Sequence, residues 1–341
     1  MSTNKYLKWL TDSTPSRYWN DSADVQDIKS AMENGATGVT TNPVLAIATL
    51  KGSSAFWKEK LDPSIAALNA DEKAEMLNRS VAVTAAGLVA PLYETGTAKG
   101  YCCAQLNPLF ATDADAMLAA AGRYHMWAEN LVIKIPATSA GLKVYEECAA
   151  RGYNVAATVS FTVSQVLAFG AAFQRGAEKA RANGITPGLG IAVLMEGRLD
   201  DYLRDVAHDT GAVCTESDIR QSGIACIKRA YGIFKERGYE CRIMPAGCRG
   251  PYHISEIAGA DMVMSIGPKI AEALMDAPME ERIDRPVNSE VIARLQTMPE
   301  FVKAYEPDGL SPDEFISYGV VNRTLTQFCE CGWKAMASLK L

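Results

Sequence analysis

The sequence predicts an α/β fold of the (β/α)8 barrel class, and three features carry that prediction. Eight short apolar, β-branched runs recur along the chain, amphipathic helical stretches separate them, and reactive or polar residues gather where the runs end. Strands buried on both faces and alternating with helices are the pattern of a parallel sheet built from βα units. The competing arrangement, an open doubly wound sheet for a dinucleotide, needs a glycine fingerprint after a strand. The nearest match, GLG at Gly188–Gly190, precedes a strand instead.

The predicted strands are Arg17–Ser22, Gly38–Thr41, Tyr101–Leu106, Leu131–Ile135, Val155–Val159, Gly190–Met195, Cys241–Ala246 and Met262–Ile266. After the first, Asp24 is placed to cap a helix whose apolar Val25, Ile28 and Met32 share a face, and Gly35 to stop it. Gly152, Gly184 and Gly238 end three later helices in the same way. Between the second and third strands, helical stretches around Ala55–Leu61, Ala70–Ala86 and Leu88–Glu94 elaborate the outer layer. From about Pro268 the chain reads as mostly helical, including Glu300–Tyr305 and Val320–Lys340, and this part covers the barrel or a subunit interface. A single domain over 1–341 is predicted, with the barrel at about 15–275 and the helical C-terminal region at about 276–341.

Composition narrows the function classes. The chain has 341 residues, 48% hydrophobic content and a mean hydropathy near zero, enough to bury a large core. Its net charge of -6, with both signs interspersed, gives no basic stripe for nucleic acid. No apolar run reaches membrane-spanning length and the N-terminal segment lacks the apolar core of a signal peptide, so a soluble cytoplasmic protein without membrane partners is expected. The nine cysteines form no CxxC pairs and read as reduced, buried thiols. His125, His208 and His253 sit in no HxH or HExxH pattern, so no metal is expected unless folding brings them together. A homo-oligomer is left open.

The fourth strand, in NLVIKIPAT (Asn130–Thr138), carries one lysine and stops at Pro136. Placing an ammonium in an apolar strand is expensive unless it is paired, neutralised or snorkels to solvent. A desolvated amine that gives up its proton is a nucleophile for ketones. In a (β/α)8 barrel the reactive groups belong at the C-terminal ends of the strands. There the sequence places Asp21, Thr41 and Asn42, Gln105, Lys134 and Thr158, with Arg198 and Arg249 after the sixth and seventh strands. This is an inventory for amine catalysis on an anionic carbonyl compound. Each has a plainer alternative: Asp21 as a helix cap, although Asp24 is better placed; Asn42 before Pro43 as turn chemistry; Thr158 as an ordinary strand threonine; Arg198 paired with Asp200 or Asp201. Arg249, among glycines, favours anion binding.

In DSAD at Asp21–Asp24, GVTTNP at Gly38–Pro43, CAQLNP at Cys103–Pro108, IKIPAT at Ile133–Thr138, GRLDD at Gly197–Asp201 and CRG around Arg249, the chain resembles the transaldolase family. These are class I aldolases on a (β/α)8 barrel, acting on small-molecule ketoses and aldoses without a cofactor. The resemblance implies that Lys134 forms the Schiff base and that Asp21 exchanges a proton with the hydroxyl beside the scissile bond. It further implies that Asn42 orients the ketose end, Thr158 helps hold a proton-shuttling water, and Arg198 and Arg249 hold a distal phosphate. The chain departs from the family in carrying Gln105 for a glutamate, Ala156 for an asparagine, Val193 and Gly247 for serines, and Met195 for a phenylalanine. The first three changes resemble the fructose 6-phosphate aldolase branch, whereas Met195 matches neither branch. The expected activity is transfer of a dihydroxyacetone unit to an aldose. The alternatives are simple aldol release of dihydroxyacetone, action on a sulfonated ketose, and a silent sugar-phosphate-binding barrel. With serines absent at 193 and 247, the anion site reads as charged but short of hydroxyl donors.

Overall fold

The structure, a computed structural model, describes residues 3–340. Eight parallel strands form its centre: β1 Arg17–Asn20, β2 Gly38–Val39, β3 Tyr101–Gln105, β4 Leu131–Pro136, β5 Val155–Thr158, β6 Gly190–Leu194, β7 Arg242–Pro245 and β8 Val263–Ile266. They are joined in the order β7-β6-β5-β4-β3-β2-β1-β8, and β7 and β8 lie side by side across the remaining seam. Consecutive strands are neighbours throughout and β1 pairs with β8, as a (β/α)8 barrel requires.

Register decides which side chains fill the interior. Trp19 is level with Gly38 and Gly38 with Tyr101, and the two aromatic rings stack at 6.2 Å as a floor. Val39 and Cys102 point the other way, onto Ile28, Ala85, Ala86 and Val89 of the helical layer. The same alternation carries Asp21, Thr40, Gln105, Lys134 and Thr158 inward above that floor.

Several boundaries differ from those predicted. β1 ends at Asn20 and β6 at Leu194, so Asp21, Ser22 and Met195 stand just beyond their strands. β4 instead continues through Pro136, which is tolerated because its nitrogen faces β3 beyond that strand's last residue, Gln105. β2 has only two residues. The β3 carbonyls that would have continued its ladder are taken by side chains: Thr41 Oγ1 donates to Cys103 O at 2.7 Å, and Asn78 Nδ2 to Gln105 O at 3.1 Å.

In the helical layer, Asp24 caps the helix Val25–Glu33, and Gly35, Gly152, Gly184 and Gly238 close helices with positive φ. The stretch Leu88–Glu94 is not a separate helix. The long helix Ala70–Val89 runs through its start, and Pro91 reduces the rest to a short 3-10 turn at Ala90–Leu92. A helix at Lys5–Ser13, not anticipated from sequence, is capped by Asn4 and buries Tyr6, Leu7 and Leu10. Phe301, Phe315, Val321 and Phe328 of the C-terminal region pack into the main core.

The final helical rod runs without a break from Gly319–Gln327 through a π-helical turn, Phe328–Trp333, to Lys334–Ala337. It touches the segments that follow β2, β3 and β6, so it lies across the C-terminal mouth of the barrel. Gly332 makes this crossing close. A Cβ there would stand 2.5 Å from Pro43 Cβ, and Trp333 beside it is buried with Ala46, Ile47 and Leu50.

Candidate active site

Lys134 sits at the C-terminal end of β4, 7% exposed, and its Nζ donates to the carbonyl of Thr41 at 3.2 Å. A neutral carbonyl, not a carboxylate, is thus its hydrogen-bond partner. Level with it on the flanking strands are Gln105 and Ala156, with Thr158 one inward position further along. Both amide atoms of Gln105 and the hydroxyl of Thr158 are buried and have no protein partner. Leaving such groups unpaired costs about 1–3 kcal/mol each. The wall thus offers three hydrogen-bonding atoms beside a buried amine.

The backbone immediately after Thr158 is strained. Val159 has φ 55, a left-handed conformation that a β-branched residue seldom adopts. Gln165 holds it: its Nε2 donates to Ala137 O at 3.0 Å and Val159 O at 3.4 Å, while its Oε1 accepts from Phe161 N at 2.9 Å. One buried amide therefore ties the ends of β4 and β5 together.

Across the barrel, Thr40 Oγ1 lies 2.7 Å from Asp21 Oδ1 and 2.7 Å from Ser265 Oγ. Thr40 has one proton to give and the carboxylate can only accept, so Ser265 donates to Thr40 and Thr40 to Asp21. Oδ1 is thereby occupied, and Oδ2 is left as the free face of the carboxylate. Asp21 takes no part in capping. Asp24 does that, accepting from Gln26 N at 2.8 Å and Asp27 N at 3.3 Å.

Sequence reading named Thr41 at this strand end and missed Thr40. Alternation from Gly38 would have found it, because period two places residue 40 inward and 41 outward. Thr41 contributes its carbonyl to Lys134 and its hydroxyl to Cys103 O. The Oδ1 of Asn42 caps the following helix, accepting from Val44 N and Leu45 N, both at 3.0 Å. Its Nδ2 is the one polar group it can still offer.

Arg198 and Arg249 are brought together. Gly197 lets the first turn of the helix Glu196–Thr210 meet the loop after β7, since a Cβ there would fall 2.3 Å from Gly247 O. Arg198 pairs with neither Asp200 nor Asp201. Its Nη1 donates to Gln327 Oε1 at 2.6 Å and its guanidinium lies 5.3 Å from the Phe328 ring centre. Burial, and then the neighbouring Arg249 charge, hold its pKa below the usual arginine range. Arg249 is the one that pairs with Asp201, Nε to Oδ2 at 2.7 Å. Both arginines line a cavity of about 340 Å³.

Behind this junction lies a buried polar knot absent from the sequence reading. Glu196 is fully buried, its Oε2 has no partner and its Oε1 lies 3.7 Å from Cys248 Sγ. Burial pushes its carboxyl up to about 8. His253, also fully buried, accepts the Arg249 N–H on Nδ1 at 3.0 Å and bonds Asp200 Oδ2 through Nε2 at 2.9 Å. Asp200 Oδ1 accepts from Gly223 N at 2.9 Å. Folding does bring one histidine to other metal-ligand types: Glu196, Cys248 and His253 offer ligand atoms within 4.8 Å of one another. Both ring nitrogens are already engaged in hydrogen bonds, and the arrangement reads as a brace for the Arg249 backbone. The signal that could have revealed it is a carboxylate directly after an apolar strand, followed by DD.

A family profile described as Transaldolase/Fructose-6-phosphate aldolase matches residues 18–315. Among named relatives, the chain is similar to transaldolase 2 of Nostoc punctiforme, 30% identical over 197 residues, which is 54% of this chain and 50% of that protein. It is similar to transaldolase 1 of Streptomyces avermitilis, 27% identical over 204 residues, covering 58% of this chain and 54% of that one. A probable transaldolase of Lactiplantibacillus plantarum is 28% identical over 269 residues, 78% of this chain and 92% of its own. The match thus spans about half the length of the first two relatives and most of the third. No helix among the described residues is long and apolar enough to cross a membrane.

Proposed function

The chain belongs to the transaldolase/fructose-6-phosphate aldolase family, and from that premise we propose that it is a Schiff-base transaldolase that moves a dihydroxyacetone unit from a ketose to an aldose. The observation that supports this most directly is the buried Lys134 amine, bonded only to a carbonyl and flanked by the unpartnered amide of Gln105 and hydroxyl of Thr158.

In the proposed reaction the Lys134 nitrogen adds to the ketose carbonyl carbon and water leaves, giving a protonated imine. Asp21 takes the proton of the hydroxyl borne by the far carbon of the scissile bond. That hydroxyl becomes a carbonyl as the C–C bond breaks, and the bonding pair moves into the imine to give a neutral enamine. The enamine attacks the aldehyde of an acceptor while Asp21 returns a proton to the new alkoxide. Water then hydrolyses the imine and frees Lys134. Thr40 leaves one oxygen of Asp21 for this exchange. Gln105 and Thr158 face the imine, where they can orient water, and the Nδ2 of Asn42 is a donor for the ketose head. Arg198 and Arg249 take the anionic tail. No step calls for a metal or organic cofactor.

Release of free dihydroxyacetone is the second reading, favoured by Gln105: a neutral amide cannot exchange a proton near neutral pH as a carboxylate can. Borohydride reduction in the presence of fructose 6-phosphate tests the core of the proposal. A covalent adduct on the native chain that is lost in Lys134→Ala is expected; an adduct that survives places the nucleophile on another lysine and overturns the assignment. An acceptor-dependence assay then separates transfer from release.

A further inference from the structure

The helix after β6 and the loop after β7 supply only part of the cavity around the two arginines. Its remaining wall is the C-terminal rod, through Arg323, Thr324 and Gln327. We propose that Gln327 and Arg323 are specificity residues for the tail of the substrate, completing with Arg198 and Arg249 a site for a tetrahedral oxyanion, the phosphate ester or sulfonate at the far end of a ketose. This rests on the function proposed above and extends it to a segment more than a hundred residues away in sequence, since the Arg198–Gln327 bond alone spans 129 positions.

The geometry argues for recognition. Gln327 accepts the Arg198 Nη1–H with its Oε1, which fixes the amide plane and leaves Nε2, without a protein partner among the described residues, as a neutral donor at the cavity wall. The Phe328 face lies against the same guanidinium, so Arg198 is held by groups that leave its charge uncancelled. Arg323 brings a third guanidinium to the lining and is oriented by Asp205, Nη1 to Oδ2 at 2.6 Å. Against these stands one lining carboxylate, Asp201, which Arg249 and Arg204 already engage.

The position of the rod is set elsewhere. The seating of Gly332 on Pro43 and the burial of Trp333 fix its height over the mouth, so Gln327 is delivered to the cavity by packing at the opposite rim. The rod thereby adds an amide and a guanidinium to the donors that line the cavity.

Two measurements test this. The first is the ratio of kcat/KM for fructose 6-phosphate, and for its 6-deoxy-6-sulfo analogue, to that for fructose. Gln327→Ala and Arg323→Ala should each lower the preferred anionic ratio by about 10–100-fold, the effect of removing a hydrogen bond to a charged oxygen. Gln327→Glu, which sets a carboxylate against Arg198, should lower it further. An unmoved ratio, or an equal loss on neutral fructose, overturns the proposal. The second, titration calorimetry with inorganic phosphate and with sulfate, needs no turnover. It reads the site even if borohydride trapping fails and the Schiff-base reading falls with it. Affinity for the better anion should drop in both alanine variants, and unchanged binding refutes the assignment. Both side chains are exposed, so folding is not at stake.

Discussion

Glu196→Gln isolates one buried proton. Burial holds the Glu196 carboxyl up to about 8, against an ordinary value of 4.5. Between those values the folded chain keeps a proton that the unfolded chain has released, so unfolding liberates a proton and stability must fall as pH rises. The slope is about 1.4 kcal/mol per pH unit for one proton. Integrated over the window from 4.5 to 8, a value that already contains the attraction of His253 for the ionised form, it reaches about 5 kcal/mol. Glutamine keeps the shape and removes the titration. Urea unfolding of both proteins at pH 5.5, 7 and 8.5 therefore gives two curves, with the variant gaining on the wild type by several kcal/mol towards the alkaline end. A constant vertical offset reports only the packing of the amide. Parallel curves refute the reasoning, because they mean that Glu196 binds no more protons in the folded chain than in the unfolded one.

Two further predictions concern the reacting groups. Thr40→Val removes the hydroxyl that orients Asp21 and should reduce kcat about 10–100-fold while borohydride still traps ketose on Lys134; Thr40→Ser should restore most of the rate, and full activity in the valine variant would remove Thr40 from any role in positioning Asp21. Gln105→Glu adds a proton-exchanging group on the wall facing Lys134, so the ratio of transferred to released dihydroxyacetone should change. A constant ratio, measured with and without an acceptor aldose, moves control of the enamine's fate elsewhere, with Met195 the next position to vary.

Much of this molecule was legible in its sequence because the relevant signals are local. The repeating βα pattern announced the barrel, and an unpaired lysine in an apolar strand announced the amine. The pairing of Arg198 and Arg249 followed from both lying just after strands of one barrel end. What escaped reading depends on events that neighbouring residues do not encode. Alternation turns Thr40 inward, but only the pairing of separate strands sets it between Asp21 and Ser265. The knot of Glu196, Asp200 and His253 needs the helix Glu196–Thr210 to fold against the short helix Tyr252–Ser255. The rod over the mouth looked like a cover from its helical pattern, but its register, and hence the delivery of Gln327, depends on one glycine against one proline. Asn42 shows the limit from the other side: the cap reading and the ligand reading divide between its two amide atoms.

The seam between β2 and β3 has an evolutionary consequence. Most of a barrel wall is held by main-chain hydrogen bonds, which point mutations leave largely intact. Here the stitches beyond Val39 are the side chains of Thr41 and Asn78, so this sector of the wall is heritable residue by residue. The same Thr41 offers its carbonyl to the Lys134 amine, and a drift from threonine to valine would loosen the wall and the seat of that amine together. Selection can thus move the Lys134 amine without touching the lysine itself.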